Sequence, residues 1–414
     1  MAESAAATAA SLRALIPAAD SVAEAVAEIV AGVRTGGDAA VVEYTRSLDT
    51  GGAEPPPLRA DAVELARAAD ALDPAVRIGL ELAIDNVRQV AEAALPDPEK
   101  LVRYGTHSVR IGAEPVRRAA VYVPGGRAPY PSTVVMGVVP AQVARVQEIV
   151  VCSPPGPSDD VDPAVLAACH LTGATEVYRV GGAQAIAALV FGTDTVAPVD
   201  VIVGPGNLYV QEAKRQVSAR VGIDGFAGPS DLMVAADTQA DPEPLALDLL
   251  AQAEHGPGTL VIGVSTETAL LDALEQRLKP GAETGAVAAL VLVRDADQAI
   301  ELAEAFAPEH LQLVGPSLES RAERARAAGC VFVGAASGTA FGDYIAGSNH
   351  ILPTGGAARF ASGLSPRHFL RTTTEVRIER ADELARAAAP VARAEGFELH
   401  ARSMEARIRD NQER

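Results

Sequence analysis

The 414-residue sequence predicts an α/β protein with two incomplete Rossmann-like parallel-sheet domains, a helical N-terminal segment and a C-terminal helical tail. Three observations lead there. Short β-branched runs closed by Gly or Pro recur in "VRRAAVYVPGG", "EIVVCSPPG", "TEVYRVGG" and "VDVIVGPG". Helical patterns lie between them, an alternation typical of βαβ units and a parallel sheet. A second series of the same form follows in "DLMVAAD", "GTLVIGVST", "AALVLVRD", "HLQLVG" and "GCVFVG", which predicts blocks near 118–230 and 231–335.

Taken in order, residues 5–95 carry apolar residues at helical spacing, broken at Gly36-Gly37 and at "EPPP". The turns "YVPGG", "VGGAQA" and "VGPGN" then fall at carboxyl ends of the first strand series. Open parallel sheets bind ligands there, and exposed amides suit a phosphate. The same turns also fit plain strand-to-helix connections, and no GxGxxG is present. "DLLAQAEHGPG" (248–258) predicts a helix ending just past His255, before Gly256, Pro257 and Gly258. Gln252 and His255, three apart, would share a face of it. Residues 376–393 predict an amphipathic helix, followed by a short polar tail.

Composition narrows the function. At 48% hydrophobic, the chain is not disordered. Its longest apolar stretches are interrupted and too short to span a bilayer. The N-terminus lacks a basic region followed by an apolar stretch, so a cytoplasmic protein is expected. The net charge of −19 is spread along the chain. It argues against nucleic acid or an anionic membrane as partner and leaves a cationic small substrate unopposed. Cys152, Cys169 and Cys330 sit in separate apolar contexts. They read as buried, inert thiols rather than a disulfide framework or a zinc ribbon.

Four of the seven histidines stand near polar groups and turn residues. His255 follows Gln252, His310 follows Glu309 in "APEHLQL", His350 lies seven after Asp343, and His400 lies five after Glu395. Each alone also fits a structural role. Together, imidazole, carboxylate and amide oxygen make a zinc-type donor set, assembled from distant segments because no HExxH is present. Glu309 and His310 suit acid–base work. Neighbours on a strand point to opposite faces, so a shared role requires a bend, which Pro308 makes possible. His107, His170 and His368 look ordinary, and His170 could cap a helix end.

The segment "GIDGFAGPSDLMVAAD" followed by "LDLLAQAEH" resembles the signature of the histidinol dehydrogenase family. The resemblance continues, in order and spacing, through "YVPGG", "VGGAQAIAAL", "VGPGNLYV", "PEHL", "GDYIAGSNHILPT", "GLSPRHFLR" and "EGFELH", over about residues 115–400. It implies oxidation of L-histidinol through the aldehyde to L-histidine, at the end of histidine biosynthesis, with two NAD consumed and one zinc per subunit. Gln252, His255, Asp343 and His400 match the zinc ligands. His310 matches the base that takes the hydroxyl proton, and Glu309 the carboxylate that activates water. Ser230, His350 and Glu395 match substrate contacts, together with Gln252, His255, His310, Asp343 and His400. Tyr122, Gln184 and Asn207 match the NAD contacts.

The same resemblance implies an intertwined homodimer whose C-terminal segment completes the partner's site. It also implies a domain plan: an N-terminal segment (1–20), a first α/β domain (21–117 with 231–365), an inserted NAD-binding domain (118–230) and a C-terminal segment (366–414). The sequence departs at Asp231, where the family signature usually has Glu. Relatives of the family oxidise other polar alcohols, including sulfonated diols, so such a substrate is the alternative. A zinc hydrolase using Glu309 is a rival from another class, but it has no use for the three Gly-rich strand ends. A catalytically dead scaffold would have no use for the intact base and ligand residues.

Overall fold

The computed structural model describes residues 4–16, 21–125, 128–156, 160–226 and 228–408. Gly126 of the first Gly-rich turn, Ala227 of the "AGPS" loop and the last six residues of the polar tail lie outside them. The chain divides into two units, Met1–Ala94 with Val116–Phe369, and Leu95–Pro115 with Leu370–Arg414.

Helices α1 (Ala5–Arg13) and α2 (Ala23–Leu48) come first. α2 breaks at Gly37, whose φ of 55° and ψ of −140° are not helical, at the double glycine that the sequence marks. A two-residue β1 (Arg59–Ala60) precedes α3 (Ala62–Asp70), which starts on a reciprocal cap between Asp61 and Glu64. α4 (Pro74–Ala93) starts on Asp73 with Pro74 in its first turn. A hairpin of β2 (Glu99–Arg103) and β3 (His107–Pro115) follows. The first alternating block is β4 (Arg118–Tyr122), α5 (Pro131–Val143), β5 (Glu148–Ser153), α6 (Pro163–Thr172), β6 (Glu176–Arg179), α7 (Gly182–Phe191), β7 (Val201–Val203), α8 (Leu208–Val217) and β8 (Gly222–Ile223). The second is β9 (Asp231–Ala236), α9 (Pro242–Ala253), β10 (Leu260–Ser265), α10 (Thr268–Leu278), β11 (Val287–Leu292), α11 (Ala296–Phe306), β12 (His310–Val314), α12 (Pro316–Glu319) and β13 (Cys330–Val333). After α13 (Ala340–Tyr344) come β14 (Leu370–Ile378), α14 (Ala381–Ala394) and α15 (Glu398–Glu405).

The first sheet has the order β1-β6-β5-β4-β7-β8 and the second β11-β10-β9-β12-β13. All pairs are parallel except β1 with β6. Counted within each block, the five parallel strands of both sheets stand in the same order, 3-2-1-4-5. The α/β alternation read from the sequence is therefore one topology used twice, with no sequence repeat to announce it. In each sheet the switch point lies between the first and fourth strands, where a crevice opens.

The packing of the N-terminal helices departs from the domain plan drawn from sequence, which grouped 21–117 with the second block. Val26, Ile29, Val33 and Val41 of α2 are buried with Tyr122, Val150 and Ile202 of the first sheet. β1 extends that same sheet through β6. α1 packs onto the second sheet, placing Ala9 and Leu12 among Met233, Leu311 and Phe306. Helical periodicity gives the apolar face of α2 but not the sheet that receives it.

The second unit is an antiparallel sheet in the order β14-β3-β2, together with α14 and α15. The helix expected over 376–393 begins only at Ala381, because Val376, Arg377 and Ile378 are the last rungs of a nine-residue ladder with β3. "TTTEVRI" is rich in β-branched residues, which favour an extended chain. Among the described residues, no helix is long and apolar enough to cross a membrane.

Candidate active site

The sequence-predicted residues of the second block meet at the amino ends of β9 and β12, the first and fourth strands of that sheet. His310 is the first residue of β12 and is registered beside Leu232 of β9 and Cys330 of β13. Glu309 sits one position outside the ladder, next to Ser230 and Asp231 at the start of β9. The opposite, carboxyl edge of this sheet is where α12 follows β12. There Asp237 accepts from the Ser317 backbone N–H and hydroxyl.

α9 starts on Asp241 with Pro242 behind it and ends at Ala253, two residues short of the predicted stop. Gln252 is in its last turn. His255 lies just beyond, where Gly256 at φ 91° turns the chain away. The ring still turns back on the helix end: His255 Nδ1 lies 2.9 Å from the Gln252 backbone carbonyl. Gln252 is buried and donates from Nε2 to Ser230 Oγ at 3.0 Å. Ser230 in turn donates to Glu309 Oε2. The run Gln252–Ser230–Glu309 thus has a fixed donor direction, and it turns the carbonyl end of Gln252 away from Ser230.

β12 alternates its side chains. Leu311 and Leu313 enter the core shared with α1 and α11, so His310 and Gln312 face the other side. There His310 Nε2 lies 3.5 Å from Asp343 Oδ1. Its Nδ1 is buried without a hydrogen-bond partner among the described residues. Such orphaned polar atoms are rare in folded proteins and ask for a functional explanation. Asp343 is on the short helix α13, and its backbone carbonyl meets His350 Nδ1 at 2.9 Å. His350 Nε2 contacts Thr133 Oγ1 at 3.1 Å, in the first turn of α5. The segment 343–350 therefore joins the second-sheet site to the helix that follows β4 of the first sheet.

The electrostatics follow from this crowding. Burial is the largest influence on Glu309 and raises its carboxyl pKa, with Asp231 adding to the rise. Burial alone would lower His310, but the Asp343 hydrogen bond and the charges of Glu309, Asp343 and Asp231 outweigh it and raise the ring. Burial works against an ionised Asp343, yet His310, His350 and His255 around it hold its carboxyl below the usual range. Burial lowers His350.

Among the described residues, no three His, Cys, Asp or Glu side chains converge as a metal cluster. The Gln252 amide lies outside that count. Amide oxygen, imidazole and carboxylate are the N/O donors that zinc accepts. The Nδ1 contact of His255 to a backbone carbonyl is of the kind that orients metal-ligating histidine rings. The donor chemistry fits a zinc-like ion. Glu395, the C-cap of α14, and His400, on α15 beside the Phe397 ring, are exposed residues of the second unit.

The three predicted NAD contacts lie at carboxyl ends of the first sheet. Tyr122 ends β4 and is buried, its hydroxyl accepting from the Gly182 N–H at 3.1 Å. Gln184 is fully buried in α7, with Nε2 donating to Asp49 at 3.0 Å and Oε1 without a partner among the described residues. Asn207 is exposed and caps α8 by accepting from the Val210 N–H. Sequence reading passed over Asp49, Arg13 and Thr133. Each acts through a partner more than a hundred residues away, which no local pattern reveals.

Comparison with known proteins places these features in context. The family model described as histidinol dehydrogenase matches residues 16–408. The chain is 44% identical to histidinol dehydrogenase of Parasynechococcus marenigrum, over 91% of this chain and 89% of that protein. It is 42% identical to the Ruegeria pomeroyi enzyme of the same name, over 91% and 90%. The crystal structure of histidinol dehydrogenase from Elizabethkingia anophelis is similar at a TM-score of 0.88 and 31% identity, covering 95% of this chain and 93% of that one.

Proposed function

As the chain belongs to the histidinol dehydrogenase family, we propose that it oxidises L-histidinol to L-histidine through the aldehyde at the Glu309–His310 site. The observation that carries this reading is the adjacency of base, carboxylate and N/O donors at one strand edge. When bound, NAD supplies a hydride acceptor for each oxidation and zinc a Lewis-acid anchor for the substrate. Gln252, His255 and Asp343 would hold the metal, with His400 as the fourth protein ligand. An exposed His400 suits delivery to a partner subunit's site in a homodimer, with Glu395 beside it to pair with a cationic amino group. An anionic sulfonated diol would call for a basic residue at that place.

The chain's own residues then divide the work. His310, raised by its acidic neighbours, takes the proton from the substrate hydroxyl as the alcohol becomes an aldehyde. Glu309, with its carboxyl raised by burial, takes a proton from the water that adds to the aldehyde, giving the hydrate that is oxidised to the acid. Ser230 holds Glu309 and Gln252 in register. Tyr122 and Gln184 act from beneath the cofactor turns: Tyr122 fixes the Gly182 peptide, and Asn207 shapes the start of α8. The thiols take no part. Burial pushes Cys152 up to about 12, so no thiolate is at hand.

The test is NADH formation with the metal-loaded protein and a panel of alcohols. We expect two NADH per L-histidinol, loss of activity on chelation, and recovery with Zn²⁺. Full turnover by protein shown metal-free by elemental analysis would remove zinc from the reading. Turnover of a sulfonated diol but not of histidinol would move the chain to the alternative substrate.

A further inference from the structure

Beneath the Glu309 carboxylate lies an arrangement that the reading above leaves unused. Asp231 is 1% exposed. Its Oδ1 accepts from the Glu309 backbone N–H at 2.7 Å, and its own backbone N–H donates to Glu309 Oε2 at 3.1 Å. Each side chain thus grips the other residue's main chain, closing a ring between the starts of β9 and β12. The second oxygen of Asp231 accepts from Arg13 Nη1 at 2.6 Å, at the end of α1. Arg13 Nη2 donates to the carbonyls of Phe306 at 2.8 Å and Ala307 at 3.3 Å. Its guanidinium lies 3.6 Å over the Phe306 ring.

One guanidinium therefore holds the turn that delivers Glu309. That turn needs holding, because Ala307 has a φ of 52°, a region that a residue with a Cβ rarely adopts. Two carboxylates buried side by side also need a cation. His310 has no such need, since the ladder with β9 and β13 fixes its main chain. Glu309 is one residue earlier: the Cys330 N–H holds its carbonyl at 2.9 Å, but its own N–H has the Asp231 side chain as acceptor in place of a strand.

We propose that Arg13 and Asp231 are positioning residues for Glu309, so that α1, docked under the site, sets the place of the water-activating carboxylate. This rests on the assignment of Glu309 under the proposed function. Because the strand ladder holds His310, loss of the pair should fall mainly on aldehyde oxidation and less on alcohol oxidation, where Asp231 acts only through its charge near the ring.

The experiment compares Arg13→Met, Arg13→Lys, Asp231→Asn and Glu309→Gln in two single-turnover assays, NADH formed from the alcohol and NADH formed from the aldehyde. Displacement of a catalytic group by about an ångström can cost ~100-fold. We expect Arg13→Met and Asp231→Asn to lose roughly 10- to 100-fold in aldehyde turnover, with KM nearly unchanged and the alcohol step affected several-fold less. Arg13→Lys should recover part of the loss, since an ammonium can pair with Asp231 but cannot also reach both carbonyls. Asp231→Asn keeps the residue's volume and carries the test if Arg13→Met does not fold. Proportional loss in both assays would mean only less folded enzyme, and it would overturn the proposal, as would wild-type aldehyde oxidation in folded Asp231→Asn. Wild-type aldehyde oxidation by Glu309→Gln would instead remove the base assignment, and the proposal with it. That result is distinct because it arises with Arg13 and Asp231 intact.

Discussion

Asp49 ends α2, and its carboxylate accepts from the Gln184 amide under the Gly181–Gly182 turn. Burial raises its pKa to about 6, against the hydrogen bonds from Gln184 and Gly181. A folded pKa above the unfolded value of about 4 means that the native state takes up this proton first on acidification. Its contribution therefore opposes folding above pH about 6 and fades as pH falls toward about 4. Asp49→Asn removes the charge. The variant should be more stable than wild type at pH 8, with the advantage shrinking by pH 5, as read by thermal melts at both values. An advantage that does not change with pH would refute the charge argument. The aspartate itself was visible in "RSLDT", but nothing nearby in sequence marks it as buried.

At the scale of elements, the turn after β7 is held by a buried ion pair. Lys214 of α8 is fully buried and donates from Nζ to the Gly204 carbonyl and to Asp224 at 2.8 Å. Asp224 also accepts from the Gly204 N–H at 2.6 Å. Gly204 has a φ of 112°, and a Cβ there would strike the Tyr122 carbonyl at 2.1 Å, so the turn abuts the end of β4. Lys214→Met would leave Asp224 as an uncompensated buried charge and Gly204 without its donor. Breaking such a pair from one side costs about 3–5 kcal/mol. The midpoint of urea unfolding should fall accordingly at unchanged slope, and an unshifted midpoint would contradict the clamp. The strands and the "VGPGN" turn were legible because they depend on residues close in sequence. β14 was not, because a strand at 370–378 is made by its ladder with β3.

For the whole molecule, the proposed dimer makes a sharp prediction. If His400 completes the partner's site, a His400→Ala chain and a His255→Ala chain should each be nearly inactive alone. Mixed and refolded, about half the dimers would be heterodimers, each with one intact site, so roughly a quarter of all sites should work. Sites built within one chain would each carry a defect. A mixture shown to contain heterodimers, yet inactive, would exclude the shared site.

Sequence by itself determined what short-range physics controls. The α/β alternation comes from local periodicity, and the pairs Gln252/His255 and Glu309/His310 come from short spacing along the chain. Tertiary structure alone decided the rest. It put α2 on the first sheet, gathered Ser230, Glu309 and His310 at the amino edge of the second, and brought Arg13 across 218 residues to Asp231. These outcomes depend on which buried faces meet and which buried charges find partners. Contacts between residues so far apart leave no period in the chain from which to read them.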